Sequence, residues 1–347
     1  MLGKYLKLNK YLDGFRLDIP IYRYVLGASF ILLVSSLLNY SLSYLTPVLA
    51  LGYLAPGVKP LSLKQATSFL MVLLLANVIA IVFSSIFLNY TLVFIPLFAL
   101  GVLWLYFSDK LPMMVKVFAL ISFLLIPMLS IQSGKIGAFV AVSLINNALM
   151  AVVLTQIVFL IFPWGQTDEV FFKSNPVAPV KTENQRFKYA VNILAIVFPV
   201  VLLFYFFGLY DSLVVLIFIS ILSMSPALAN AKVGLVMIVA NIIGGLMAIL
   251  VYHLLTVVPM LLTLILLTLL VGLVFASKLF SKHKFAPVFG TAFSTFLLIL
   301  GSVTSSDAEA GSKVWTRIIQ IGIAVIYVVI VFRVMEYFNN SRKSRSL

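Results

Sequence analysis

Runs of about twenty apolar residues, repeated along the whole chain, constrain this sequence more than any other feature. The stretch from Val257 to Ser277 contains no charged residue, and that from Lys64 to Leu88 has a charge only at its first position. A helix needs about 20 such residues to cross roughly 30 Å of hydrocarbon. In lipid every backbone N–H and C=O must be satisfied internally, which leaves helices or closed barrels. Barrel strands alternate apolar and polar residues over about ten positions, and these runs do not alternate. The chain is 63% hydrophobic and 10% charged, against roughly 45–50% and about 25% in soluble domains. Lipid is therefore the main solvent of its surface. The expected fold is an all-α polytopic membrane protein.

Hydropathy predicts twelve spans. The first six are Ile21–Leu38, Leu42–Gly57, Lys64–Leu88, Thr91–Phe107, Met113–Ile131 and Ile136–Phe162. The second six are Phe187–Gly208, Ser212–Pro226, Val233–Leu254, Val257–Ser277, Pro287–Thr304 and Lys313–Phe338. This divides the chain into an amphipathic N-terminal segment (1–20), a first six-helix unit (21–162), a linker (163–186), a second six-helix unit (187–338) and a basic tail (339–347). With the N-terminus inside, 21 of the 24 Lys and Arg residues fall on the inner side. Only Lys135, Lys313 and Arg317 fall outside. Such a bias is the positive-inside rule at work, and it predicts cytoplasmic N- and C-termini. It also accounts for the net charge of +14 as a topological device in contact with anionic headgroups. No nucleic-acid partner is expected.

Several function classes drop out at this stage. There is no cysteine, hence no disulfide, thiolate metal site or cysteine nucleophile. The basic N-terminal segment lacks the apolar core of a cleavable signal. The two histidines have no acidic partner at motif spacing, and no phosphate-binding glycine loop is present. The expectation is no enzyme, no metal and no cofactor.

The halves resemble each other. Arg23-Tyr24 opens the first span and Lys188-Tyr189 the seventh. Ala76-Asn77-Val78-Ile79 matches Ala240-Asn241-Ile242-Ile243, and Ser122-Phe123-Leu124-Leu125-Ile126 matches Thr295-Phe296-Leu297-Leu298-Ile299. An even number of spans per half makes the repeats parallel, related by an axis along the membrane normal. A ligand path along that axis is the natural expectation.

Interrupted spans at matching places are the best pointer to a transporter site. The second span carries Pro47, Gly52, Pro56 and Gly57, and the eighth ends Ser223-Met224-Ser225-Pro226. Helix N-termini following Pro56 and Pro226, with Ser225 beside the latter, are candidate holders of an anion; ordinary helix-end prolines are the competing reading. Asn77 and Asn241, deep in apolar helices, read either as interhelical glue or as groups lining a central path. Arg23, Lys64, Lys188 and Lys232 sit at inner span ends. They read as a basic vestibule or as side chains reaching to headgroups. His253 is a candidate proton site, with a polar interface residue as the commoner alternative.

The stretch Ser43-Tyr44-Leu45-Thr46-Pro47, continuing through Leu54-Ala55-Pro56-Gly57-Val58-Lys59-Pro60-Leu61 to Ala66, resembles the fusaric-acid-resistance and aromatic-acid-exporter superfamily. So do the doubled six-span unit and the end of the first half, Phe159-Leu160-Ile161-Phe162-Pro163. The short linker is similar to a compact branch without large cytoplasmic domains. The resemblance implies a bacterial inner-membrane exporter of small organic acids, aromatic carboxylic acids among them, working beside a periplasmic adaptor of the membrane-fusion type. It also implies a distant likeness to plant malate channels, whose six-span unit dimerises. A passive organic-anion channel, a non-transporting membrane scaffold and a homo-oligomer stay open as alternatives.

Overall fold

The computed structural model describes the backbone of residues 2–108, 113–165, 168–169, 182–209, 231–281 and 285–304, with isolated helical positions at 215, 216, 219 and between 319 and 334. Ten helices are described: α1 (Leu2–Leu38), α2 (Leu45–Leu54), α3 (Leu63–Phe87), α4 (Thr91–Phe107), α5 (Met113–Gln132), α6 (Gly134–Ile161), α7 (Glu183–Phe207), α8 (Ala231–Val257), α9 (Leu261–Leu279) and α10 (Ala286–Thr304). Among the described residues there is no strand. Eight of the helices contain a segment long and apolar enough to cross a membrane, while α2 and α4 are shorter. The predicted eighth and twelfth spans, Ser212–Pro226 and Lys313–Phe338, lie outside the described residues except at isolated positions. Among the described residues ten helices are counted, eight of them of membrane length.

Most predicted bounds agree with the helices to within a few residues. Two segments differ. The N-terminal segment forms one continuous helix with the first span. The second span, apolar from Leu42 to Gly57, forms only the ten-residue α2, about 15 Å long at 1.5 Å per residue. Proline chemistry ends it. Ala55 is extended, Gly57 has φ 74° and the Val58 N–H donates to the Ala55 carbonyl at 3.1 Å. This is a type II turn, with Gly57 at the position that requires a positive φ and Pro56 at the position that favours proline.

The chain divides into two compact units. Unit one comprises Met1–Ala66, Asn147–Ala178 and Ala240–Ala310; unit two comprises Thr67–Asn146, Pro179–Val239 and Gly311–Leu347. Each unit takes segments from both sides of the linker, and α3, α6 and α8 each contribute to both units.

In unit one, α1 packs on α2 and α9, and α10 packs on α2 and α9. Tyr24, Val25, Ala28 and Ile31 of α1 are fully buried. Glycines let the helices come close. A Cβ at Gly27 would meet Val158 of α6 at 2.7 Å, and one at Gly244 of α8 would lie 2.3 Å from the Ala292 carbonyl oxygen of α10. Without a hydrophobic drive between helices in lipid, such close backbone approach is a main source of packing energy.

Unit two is held by rings. Its α4 packs on α5 and α7. Phe83 of α3 touches Phe94 and Phe98 of α4 and Phe123 of α5, with ring centroids 5.3–6.3 Å apart. Phe94 also stacks on Tyr205 of α7 at 5.3 Å. Aromatic pairs at these separations add about 0.5–1.5 kcal/mol beyond area burial.

Apolar stripes remain uncovered. Leu262, Leu266, Leu270 and Val274 on α9 are exposed at four-residue spacing, as are Met71, Leu75 and Ile79 on α3. Residues four apart share one helix face. Contiguous apolar faces of this length suit hydrocarbon and not water.

Candidate functional site

The interrupted α2 organises the polar side chains around it in unit one. Between α1 and α2 the chain turns through Asn39 (φ 42°) and Leu42 (φ 58°). A left-handed leucine costs roughly 1–2 kcal/mol, so neighbouring contacts must hold the turn. They do so from both sides. The Tyr40 hydroxyl lies 3.0 Å from Ser35 Oγ and also bonds the Thr46 hydroxyl. Thr46 donates to Asn147 Oδ1 of α6 at 2.8 Å, and Asn147 Nδ2 donates to the Ser41 carbonyl at 2.9 Å. One amide of α6 thereby ties the turn to the first residues of α2.

Beside this turn unit one opens a cavity of about 470 Å³. Its walls come from the C-terminal ends of α1, α8 and α10, the turn before α2, and the α8–α9 connection continuing into α9. Ser36, Asn39, Ser43, Tyr44, Tyr252, Thr256 and Thr304 supply polar groups; Leu32, Leu255 and Leu264 supply apolar surface. The Tyr44 wall is shaped by Gly301 of α10, where an added Cβ would meet Tyr44 Cβ at 2.4 Å. The volume falls within the roughly 300–1,000 Å³ of small-molecule pockets.

At the other end of α2, Pro56 belongs to the turn described above and not to the start of a helix. The next helix begins at Leu63 with a capping box. The Ser62 N–H donates to Gln65 Oε1 at 3.0 Å, and the Gln65 N–H donates to Ser62 Oγ at 3.3 Å. Gln156 of α6 pins the connection by donating to the Leu61 carbonyl at 2.9 Å. The α3 N-terminus therefore carries its own side-chain acceptor. Ser225 and Pro226 lie outside the described residues, and so does the side chain of Lys232.

The inner-end cations part company. Arg23 is fully buried and forms an ion pair with Asp168 in the segment after α6, through both guanidinium NH₂ groups. Asp168 also accepts from the Gly165 N–H at 3.0 Å. The guanidinium carbon lies 4.7 Å from the Phe159 ring centroid and 5.9 Å from that of Trp164. A planar, always-charged fork between aromatic faces is what arginine does better than lysine. Lys64 and Lys188, by contrast, are exposed. His253 is exposed on α8, next to the Tyr252 ring.

Asn77 and Asn241 lie in different units. In unit two Asn77 of α3 donates to the Ala141 carbonyl of α6 at 2.8 Å, and its Oδ1 has no hydrogen-bond partner. In unit one Asn241 of α8 accepts from the Thr295 hydroxyl of α10, which also reaches the Thr291 carbonyl at 3.0 Å. Each amide bridges two helices. Sequence reasoning missed Asp168, Tyr40 and Thr46 as partners. Asp168 is a lone acid in a polar linker, and nothing in its spacing to Arg23, 145 positions away, announces the pair.

Among the described residues, eight membrane-length apolar helices with uncovered apolar stripes define a multi-pass α-helical membrane protein. Neither a family model, nor a curated protein, nor a solved structure matches the chain.

Proposed function

We propose that the chain is a secondary transporter of the bacterial inner membrane that exports small organic acids. The observation that carries this reading is the broken second span: a ten-residue helix, largely buried in unit one, with a strained turn before it and a Pro-Gly turn after it. Irregular backbone in an apolar stretch is tolerated where protein or a water-filled cavity surrounds it, and such segments mark transporter sites. The exposure of Lys59, Lys64, Lys188 and Lys278 on what the charge distribution makes the cytoplasmic side supports the reading.

Export needs no coupled proton in this scheme. An organic anion leaving down an inside-negative potential gains about 2.3 kcal/mol per charge per 100 mV. Of Asn77 and Asn241, Asn77 keeps an acceptor to spare, whereas the Asn241 oxygen is already engaged. A periplasmic adaptor would receive the product on the far side.

The test is flux from proteoliposomes loaded with a panel of radiolabelled aromatic and aliphatic acids under an imposed potential. Release above that from empty liposomes is expected, and its absence across the panel sinks the proposal. The orientation is checked separately. A cysteine replacing Asn39 should react with an impermeant thiol reagent in intact spheroplasts, and one replacing Lys59 should not.

A further inference from the structure

The cavity at the α1 C-terminal end of unit one is unusual for a site expected to meet acids, because no described residue lining it is charged. Its walls come from α1, the turn before α2, α8, the α8–α9 connection, α9 and α10. Among the described lining residues none is Lys, Arg, His, Asp or Glu, and the titratable groups are the hydroxyls of Tyr44 and Tyr252. His253 neighbours Tyr252 but does not line the space. The polar groups are hydroxyls and one amide, from Ser36, Asn39, Ser43, Tyr44, Tyr252, Thr256 and Thr304. Every one of them can both donate and accept.

We propose that this cavity binds small uncharged amphiphiles: alcohols, amides and the protonated form of weak acids. A carboxylate entering it would surrender hydration without meeting a cation, which is costly. An uncharged headgroup carries a donor and an acceptor that match the hydroxyls, while its ring or chain rests on Leu32, Leu255 and Leu264. The site is built for a defined occupant, since Asn147 fixes the turn that bears Asn39 and Ser43, and Gly301 lets Tyr44 close one wall. This proposal is independent of transport: the cavity binds whether or not the chain moves anything. If the chain is an exporter, the same cavity holds an anion weakly and so favours its release.

The experiment uses the full-length protein in lipid nanodiscs, titrated with 4-fluorobenzamide and 4-fluorobenzoate and followed by fluorine NMR. Protein-free nanodiscs correct for partition into lipid. Saturable benzamide binding that does not change between about pH 5 and about pH 8 is expected. Benzoate affinity should fall about tenfold for each pH unit above its own pKa, as the neutral fraction falls. Ser36→Leu and Thr256→Leu, each filling the space from a different helix, should each weaken benzamide binding by about tenfold or more. Benzoate bound as tightly as benzamide at about pH 8 overturns the proposal. So does benzamide binding unchanged in a leucine variant that keeps the parent melting temperature. If neither variant folds, the pH comparison on the parent protein decides alone.

Discussion

Arg23 and Lys188 each precede a tyrosine near the start of an apolar run, yet they end in opposite surroundings. Arg23 is enclosed in unit one by Asp168, Phe159 and Trp164; Lys188 stands exposed in unit two. The asparagines repeat the contrast. Asn241 is joined to Thr295, side chain to side chain, across α8 and α10. The matching residues in unit two do not meet: Asn77 turns to a backbone carbonyl of α6, and Ser122 bonds the Phe118 carbonyl of its own helix. Both units contain ring clusters, Phe275, Phe293 and Phe296 in unit one and Phe83, Phe94, Phe98 and Phe123 in unit two, but the buried Arg23–Asp168 ion pair belongs to unit one. Similar sequences in similar helices have been put to different structural use. The difference follows from what each side chain finds opposite it.

This contrast can be broken by substitution. Arg23→Ala should cost about 3–5 kcal/mol, because it leaves the Asp168 carboxylate buried and unpaired, whereas Lys188→Ala should change stability by less than about 0.5 kcal/mol. Unfolding titrations of the purified protein in mixed micelles would measure both. Replacing the pair together, Arg23→Met with Asp168→Leu, should recover most of the loss. Equal costs for the Arg23 and Lys188 variants would erase the distinction between the units.

A smaller effect, about 1–3 kcal/mol, is expected for Gly244→Val, whose Cβ would press on the Ala292 carbonyl and push α8 from α10. The same titration reads it. Gly245→Val is the control: a Cβ there meets only Ile299 Cδ1, at an ordinary 3.5 Å, and it should cost less.

The asparagines sharpen the comparison at the smallest scale. Hydrogen bonds between membrane helices are worth about 0.6 kcal/mol on average and up to about 1.7. Asn241→Leu should fall in the upper part of that range. Asn77→Leu should fall near or below the average, since it also removes an unpartnered buried oxygen. The reverse order, measured by thermal unfolding in the same detergent, would show that Asn77 does more than bridge α3 and α6.

Much of this was legible before any coordinates. The long apolar runs gave nearly all the described helices to within a few residues, because segment length and backbone satisfaction in lipid leave little choice. Pro56-Gly57 announced a break, and the structure has a type II turn there. What the sequence did not reveal was how completely the break would shorten the second span, or that Pro56 would serve a turn and not the start of a helix. The strain at Leu42 was also invisible, since a leucine carries no signal for a left-handed backbone; the Tyr40–Thr46–Asn147 contacts and the backbone bonds of the turn hold it there.

The sequence by itself determined that this protein is a stack of apolar helices in a membrane. Hydropathy and length are properties of a segment, and they act before any helix meets another. Tertiary structure alone decided which polar residues would be partners. Arg23 and Asp168, or Thr46 and Asn147, are separated by more than a hundred positions, and a buried charge or amide accepts whichever complementary group the packing brings within reach. The uncharged cavity has the same origin, for it exists only where the ends of α1, α8 and α10 and the turn before α2 come together.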